Sequence, residues 1–293
     1  MLITRFISAG RTDIGQVRSG NQDQFLVADL DKSMTIHATT LPVDDETELH
    51  GGLRAQLLLV ADGMSGHAGG DIASQIGIGT TAKYVLNSMP WFFSLSHDHD
   101  DDQREELLAA MTECEEAVEA EAAANPRLAG MGTTLTMAYL VWPRMYVVHI
   151  GDSRCYLLRD GELIQVTRDQ TAAQALVDDG TLTPEQANRS PLSHILVSSI
   201  GQGPSAFRPE VSRTDLQAGD RVLLCTDGLT SMVADDRIRQ ILGDAESAEA
   251  ATDALVDEAN AAGGRDNITV VVSFCLPPID RPERKPGGGP ADP

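Results

Sequence analysis

The run LLLV at 57–60 leads to Asp62-Gly63 and then MSGHAGGDIAS, and this stretch constrains the fold more than any other. Four large, branched apolar residues in a row read as a short buried strand. A carboxylate at the end of such a strand needs partners, because an isolated charge there is costly. The glycines that follow permit close backbone approach and unusual dihedrals, and a helix is expected to begin near Gly69 or Gly70. An ordinary turn would explain one such Asp-Gly pair. Asp160-Gly161, between LLR and ELI, reads as that alone, a hairpin turn.

The arrangement at Asp62 recurs. Asp152 follows VVHIG, Asp227 follows VLLCT and precedes Gly228, and Asp266, in GGRDN, sits just before ITVVV. If those strand ends gather at one edge of a layered core, the carboxylates converge and repel, and are driven to bind protons or cations. Oxygen-only ligation selects hard ions such as magnesium or manganese, and no Cys/His set of zinc type is present. Asp62, with the Gly63 carbonyl beside it, is best placed to bridge two ions. Arg18 lies before Asn21-Gln22-Asp23 in a polar turn between two strands. Beside a metal cluster, its planar guanidinium suits bidentate contact with a phosphoryl group.

Charge narrows the partners. The 293 residues permit one large domain or two small ones, and 44 acids against 22 bases leave a formal charge of −22. Such a surface repels nucleic acid and anionic membranes, so neither is expected as a partner. An anionic substrate would need local positive charge, from a metal or from arginines. No run of 18 apolar residues and no basic-then-apolar leader pattern occurs. Cys114, Cys155, Cys225 and Cys275 have no CxxC spacing, and the last three lie in apolar runs as buried thiols of a reducing cytoplasm.

In order, strands are expected at 2–8 and 24–30, then a polar, long hairpin excursion at 31–55. A helix follows at 70–88, a charged loop at 94–103 (SLSHDHDDDQ) and a second helix at 104–124. The His97–Asp102 portion of that loop could hold a metal but reads as solvated, and the second helix as an amphipathic surface helix rather than a dimer seam. Strands come next at 133–142, 144–150 and 154–167, then an irregular flap at 169–209 and a strand at 221–225. Helices at 234–242 and 247–262 and a strand at 267–274 complete an α+β layered domain. The Pro/Gly-rich residues 277–293 read as a disordered tail after a domain of residues 1–276.

Six motifs, RSGNQD at 18–23, DGMSGH at 62–67, GMGTT at 130–134, GDSR at 151–154, TDGL at 226–229 and RDN at 265–267, occur in the order of a known family. The chain resembles the bacterial metal-dependent serine/threonine protein phosphatases of the protein phosphatase 2C family over about residues 3–275. The resemblance implies a four-layer αββα sandwich, two antiparallel sheets flanked by helical pairs, with the metals in a channel at one end. It implies that Asp62 bridges two Mn2+ or Mg2+ ions, that the Gly63 carbonyl joins one, and that Asp227 and Asp266 hold the other. Asp23 would act through water on an ion, Asp152 with help from Asp227 would hold a third, weaker ion, and Arg18 would clamp the substrate phosphate. Two ions about 3.5–4 Å apart acidify a bridging water and bind phosphoryl oxygens, so no covalent intermediate is required.

Three departures from the family pattern stand out: Gln22 in place of a glutamate, Met64 where animal members carry a proposed general-acid histidine, and Ser65 in place of a glycine. Leaving-group protonation then falls to water, with His67 as a second candidate donor. The expected partners are phosphorylated proteins, among them a serine/threonine kinase or its substrates, acted on by a cytoplasmic monomer. The rival readings are a catalytically silent phosphoprotein-binding module of the same fold and a passive metal buffer. Intact Asp62, Asp227 and Asp266 argue against the first, and Arg18 against the second.

Overall fold

The computed structural model describes residues 2–38, 40, 48–64, 69–87, 100–187 and 189–280. Strand β3 (Glu48–Met64) is its spine, paired antiparallel with β2 (Asp23–Thr35) on one side and β5 (Leu135–Val141) on the other. Strands β6 (Arg144–Ile150) and β9 (Glu210–Asp215) extend this sheet in the order β2-β3-β5-β6-β9, while the two-residue β4 (Gly132–Thr133) pairs with the end of β3. The second sheet runs β1-β11-β10-β7-β8. Its members are β1 (Leu2–Asp13), β7 (Arg154–Arg159), β8 (Glu162–Gln165), β10 (Arg221–Cys225) and β11 (Ile268–Asp280). Every named pairing is antiparallel.

The period-2 alternation of β3 explains the layering. Leu58 and Val60 face the other sheet, where they meet Leu157, Leu224 and Val271. Leu57 and Leu59 face the opposite way, under α1 (Gly70–Asn87) and α2 (Asp100–Ala124). All four are at most 1% exposed, and each such side chain contributes roughly 1.5–3 kcal/mol of burial. The outer face of the five-stranded sheet is covered by α6 (Asp235–Asp244) and α7 (Ala248–Ala261), through Ile238, Leu242, Leu255 and Val256. Helix, sheet, sheet, helix is the expected four-layer sandwich.

Several boundaries differ from expectation. Helix α2 starts at Asp100 rather than 104, so the end of the predicted loop belongs to the helix. His97 and His99 lie outside the described residues. Leu107, Met111, Cys114 and Val118 of α2 pack into the core, as for an amphipathic surface helix. The 31–55 excursion is the end of the β2–β3 hairpin, still paired at Thr35 and Glu48. Strand β9 was not foreseen, because its edge position leaves the polar sequence EVSRTD half exposed. Strand β11 continues to Asp280, paired with Leu2, past the point where the tail was expected to begin. Residues 281–293 are outside the described set. Among its described residues, the segment 169–209 carries short pieces, α3 (Ala172–Asp178), α4 (Pro184–Ala187) and a 3-10 turn at Pro191–His194, as its irregular sequence implied.

Candidate active site

The strand-end acids do meet. A cleft of about 1460 Å³ is lined by Asp62, Gly63, Asp152, Asp227, Asp266 and Arg18. Asp23, 2% exposed, lies behind it, opposite Asp62 in the β2–β3 register. Gln22 and Met64 also line the cleft, whereas Ser65 and His67 are outside the described residues.

Neighbouring hydroxyls and amides fix the segments that carry the acids. The Asp62 N–H donates to Thr134 Oγ1 (3.0 Å), and the Asp62 carbonyl accepts from the Thr133 hydroxyl (3.0 Å). Thr134 in turn shares a 2.8 Å hydrogen bond with Ser153, next to Asp152. Thr226 precedes the short helix α5 (Asp227–Thr230) at its N-cap position, yet its hydroxyl makes no cap. It donates instead to Asp23 Oδ2 at 2.8 Å. Asn267 ties the start of β11 to the Arg18 loop, accepting from Gln22 N–H (2.8 Å) and donating to the carbonyls of Ile14 and Gly20 (both 3.0 Å). These positioning residues lie inside or beside the six motifs, so their signal was visible even though their roles were not.

Gly63 and Gly228, which follow Asp62 and Asp227, serve contact rather than turning. A Cβ on Gly63 would lie 2.0 Å from the Gly70 carbonyl oxygen, and one on Gly228 would lie 1.8 Å from that of Asn267. Asp160-Gly161 is the opposite case. Both residues have positive φ (50° and 81°), open space surrounds the glycine, and the pair is the hairpin turn between β7 and β8.

The electrostatics are those of crowded anions. Burial pushes the Asp23 carboxyl up to about 7, with Asp227 and Asp266 adding to it, against the hydrogen bonds from Thr269 and Thr226. Asp62 is raised well above the usual carboxylate range by burial and then by Asp23, Asp227, Asp152 and Asp266. Asp152 is raised likewise, by burial, Asp227 and Asp169. Arg18 Nη2 bonds Asp266 Oδ2 at 2.6 Å. His194, at the end of the 3-10 turn in the 169–209 segment, brings Nδ1 to 3.7 Å from Asp227 Oδ2, and nothing in the sequence marked it.

The donor set fits hard cations. Asp23 Oδ1 and Asp227 Oδ1 are buried without a hydrogen-bond partner, an arrangement that an oxygen-seeking ion would satisfy. Among the described residues, no three acid, histidine or cysteine side chains are drawn together tightly enough to enclose one ion by themselves. Mutually repelling carboxylates around a cleft would need to draw inward about their ions. The described cysteines are all buried, and burial pushes Cys114, Cys225 and Cys275 up to about 12, so none offers a ready nucleophile.

A sandwich of this topology with an acidic, arginine-edged cleft defines a recognisable class, and comparison with known proteins agrees. Residues 35–261 match the family model described as protein phosphatase 2C, a span that holds Asp62, Gly63, Asp152 and Asp227. The chain belongs to the protein phosphatase 2C family. It is 38% identical over 276 residues to the serine/threonine protein phosphatase PstP of Mycobacterium tuberculosis, covering 93% of this chain but 45% of that protein. The chain thus spans less than half the length of that relative. It is 33% identical over 269 residues to the protein phosphatase PhpP of Streptococcus pneumoniae, covering 89% and 94% of the two chains. A crystal structure of M. tuberculosis PstP superposes with a TM-score of 0.75 at 35% identity, covering 94% of this chain and all of that one. The PstP catalytic domain in complex with two manganese ions gives 0.71 at 36% identity, with the same coverage.

Proposed function

We propose that this chain hydrolyses phosphoserine and phosphothreonine monoesters in proteins by direct attack of water. One observation carries the reading: carboxylates from separated chain segments share a cleft with a guanidinium, in a molecule whose net charge would otherwise repel a phosphate. Asp62 and the Gly63 carbonyl would hold the ions at the cleft floor, with Asp227 and Asp266 completing the set. Asp23 would act from behind through water, and Asp152 would serve a third, weaker site. Bound there, Mn2+ or Mg2+ neutralises phosphoryl oxygens and acidifies water at neutral pH. Arg18, now on Asp266, is within the same cleft and would turn to the phosphoryl oxygens. Residues 169–209 would form a flap beside the cleft, within a single catalytic domain that ends with β11.

The substrates would be phosphorylated proteins, a kinase or its targets among them, met by a cytoplasmic monomer. No described helix is long and apolar enough to cross a membrane. The test is release of phosphate from a phosphothreonine peptide, which should require manganese or magnesium and stop on chelation. Asp227→Ala should abolish turnover while its far-UV circular dichroism stays that of the parent. Turnover that survives either treatment would refute the metal assignment, and peptide binding without hydrolysis would favour the silent module.

A further inference from the structure

We propose that Gln170 is a positioning residue that joins the 169–209 segment and the Asp152 loop into one mechanical unit. The kinetic consequence rests on the hydrolytic reading above, while the geometry stands by itself. Gln170 sits where the chain leaves the five-stranded sheet and starts across the cleft. Its main chain is committed on both sides: its N–H donates to the Gly151 carbonyl at 2.7 Å, and its carbonyl accepts from Val197 N–H at 2.9 Å. The side chain, in a residue only 8% exposed, crosses between them. Oε1 accepts from Gly151 N–H and Nε2 donates to the Arg208 carbonyl, each at 3.0 Å.

One carboxamide thus holds the residue before Asp152 with one end and the far root of the segment with the other. Ser198 reinforces that far root, its hydroxyl accepting from Arg208 N–H at 3.1 Å. At the near root Arg154, two residues past Asp152, grips Asp169 through Nε (2.8 Å) and Nη2 (2.7 Å), a bidentate pair. Both roots and the Asp152 loop therefore share one partly buried run of polar contacts. Groups in such a run lose more by parting singly than together, because each departure strands a partly buried partner. Where the segment settles over a phosphoprotein would accordingly set where the Asp152 carboxylate stands. Only an amide meets both demands at position 170: a carboxylate keeps the acceptor and loses the donor, and an apolar side chain lacks both.

Hydrogen–deuterium exchange of the full chain, wild type against Gln170→Met and Gln170→Glu, tests this. In Gln170→Met the amides at 150–152 and at 197–208 should both exchange about tenfold faster or more. In Gln170→Glu only those at 197–208 should accelerate. With a phosphothreonine peptide, kcat/KM of Gln170→Met should fall roughly 10- to 100-fold, mostly in KM, with a smaller loss on p-nitrophenyl phosphate, which touches less of the segment than a peptide does. Loosening of 197–208 in Gln170→Met with 150–152 still protected, or no change in either, would overturn the coupling. If Gln170→Met does not fold, Gln170→Glu decides: acceleration confined to 197–208 supports the clamp, and none removes it. A wild-type protein inert toward the peptide would sink the hydrolytic reading, and the exchange pattern would still decide the clamp.

Discussion

Arg18 shows how one side chain serves two partners. Its guanidinium bonds Asp266 at 2.6 Å, yet the side chain is 54% exposed, and an ion pair that open contributes little to stability. Release toward a phosphoryl group is therefore cheap. Replacing Arg18 by Ala should raise KM for a phosphothreonine peptide about tenfold or more, the worth of a charge-assisted hydrogen bond, with kcat much less affected. An unchanged KM would remove Arg18 from the substrate site. Residue type and setting were legible in sequence for Arg18 and for the strand-end acids. The difference between Asp62-Gly63 and Asp160-Gly161 was legible only as a recurrence. Its physical basis, close backbone contact against positive φ, is a tertiary fact.

Among the elements, strands with continuous apolar runs were readable because burial on both faces forces that composition. Residues 57–60, 221–225 and 268–274 all fall within strands. Strand β9 escaped because an edge strand carries polar residues, and the first turn of α2 escaped because consecutive aspartates look like a loop. The junction between β11 and the 14–22 loop hangs on the carboxamide of Asn267, only 5% exposed. Asn267→Ala should destabilise the fold by about 1–3 kcal/mol, since it removes three partly buried hydrogen bonds. It should also raise KM through the displaced Arg18. A melting temperature equal to wild type would show that water replaces those bonds at no cost.

At the scale of the whole molecule, folding gathers acids that would stay apart in an open chain, and stability answers to pH and to ions. Asp23, held up to about 7 by burial and its acidic neighbours, retains a proton in the folded state that the unfolded chain gives up near 4. Asp62 and Asp152 are raised in the same direction. The Asp23 contribution is full below about pH 4 and is lost as pH climbs through about 7 in ion-free protein. Manganese should raise the melting temperature, and by more at pH 7.5 than at pH 5.5, where the ions must displace protons. An increment equal at both pH values would mean the ions bind elsewhere. The sequence by itself determined the buried strands, the acids that end them and the family, because burial and ligand chemistry leave local marks in residue type and order. Only the tertiary structure decided that Gln170 faces Gly151 and Arg208, that Thr226 forgoes its helix cap for Asp23, and that His194 meets Asp227. Those partners stand tens to hundreds of residues apart along the chain, and no local pattern encodes which of them will touch.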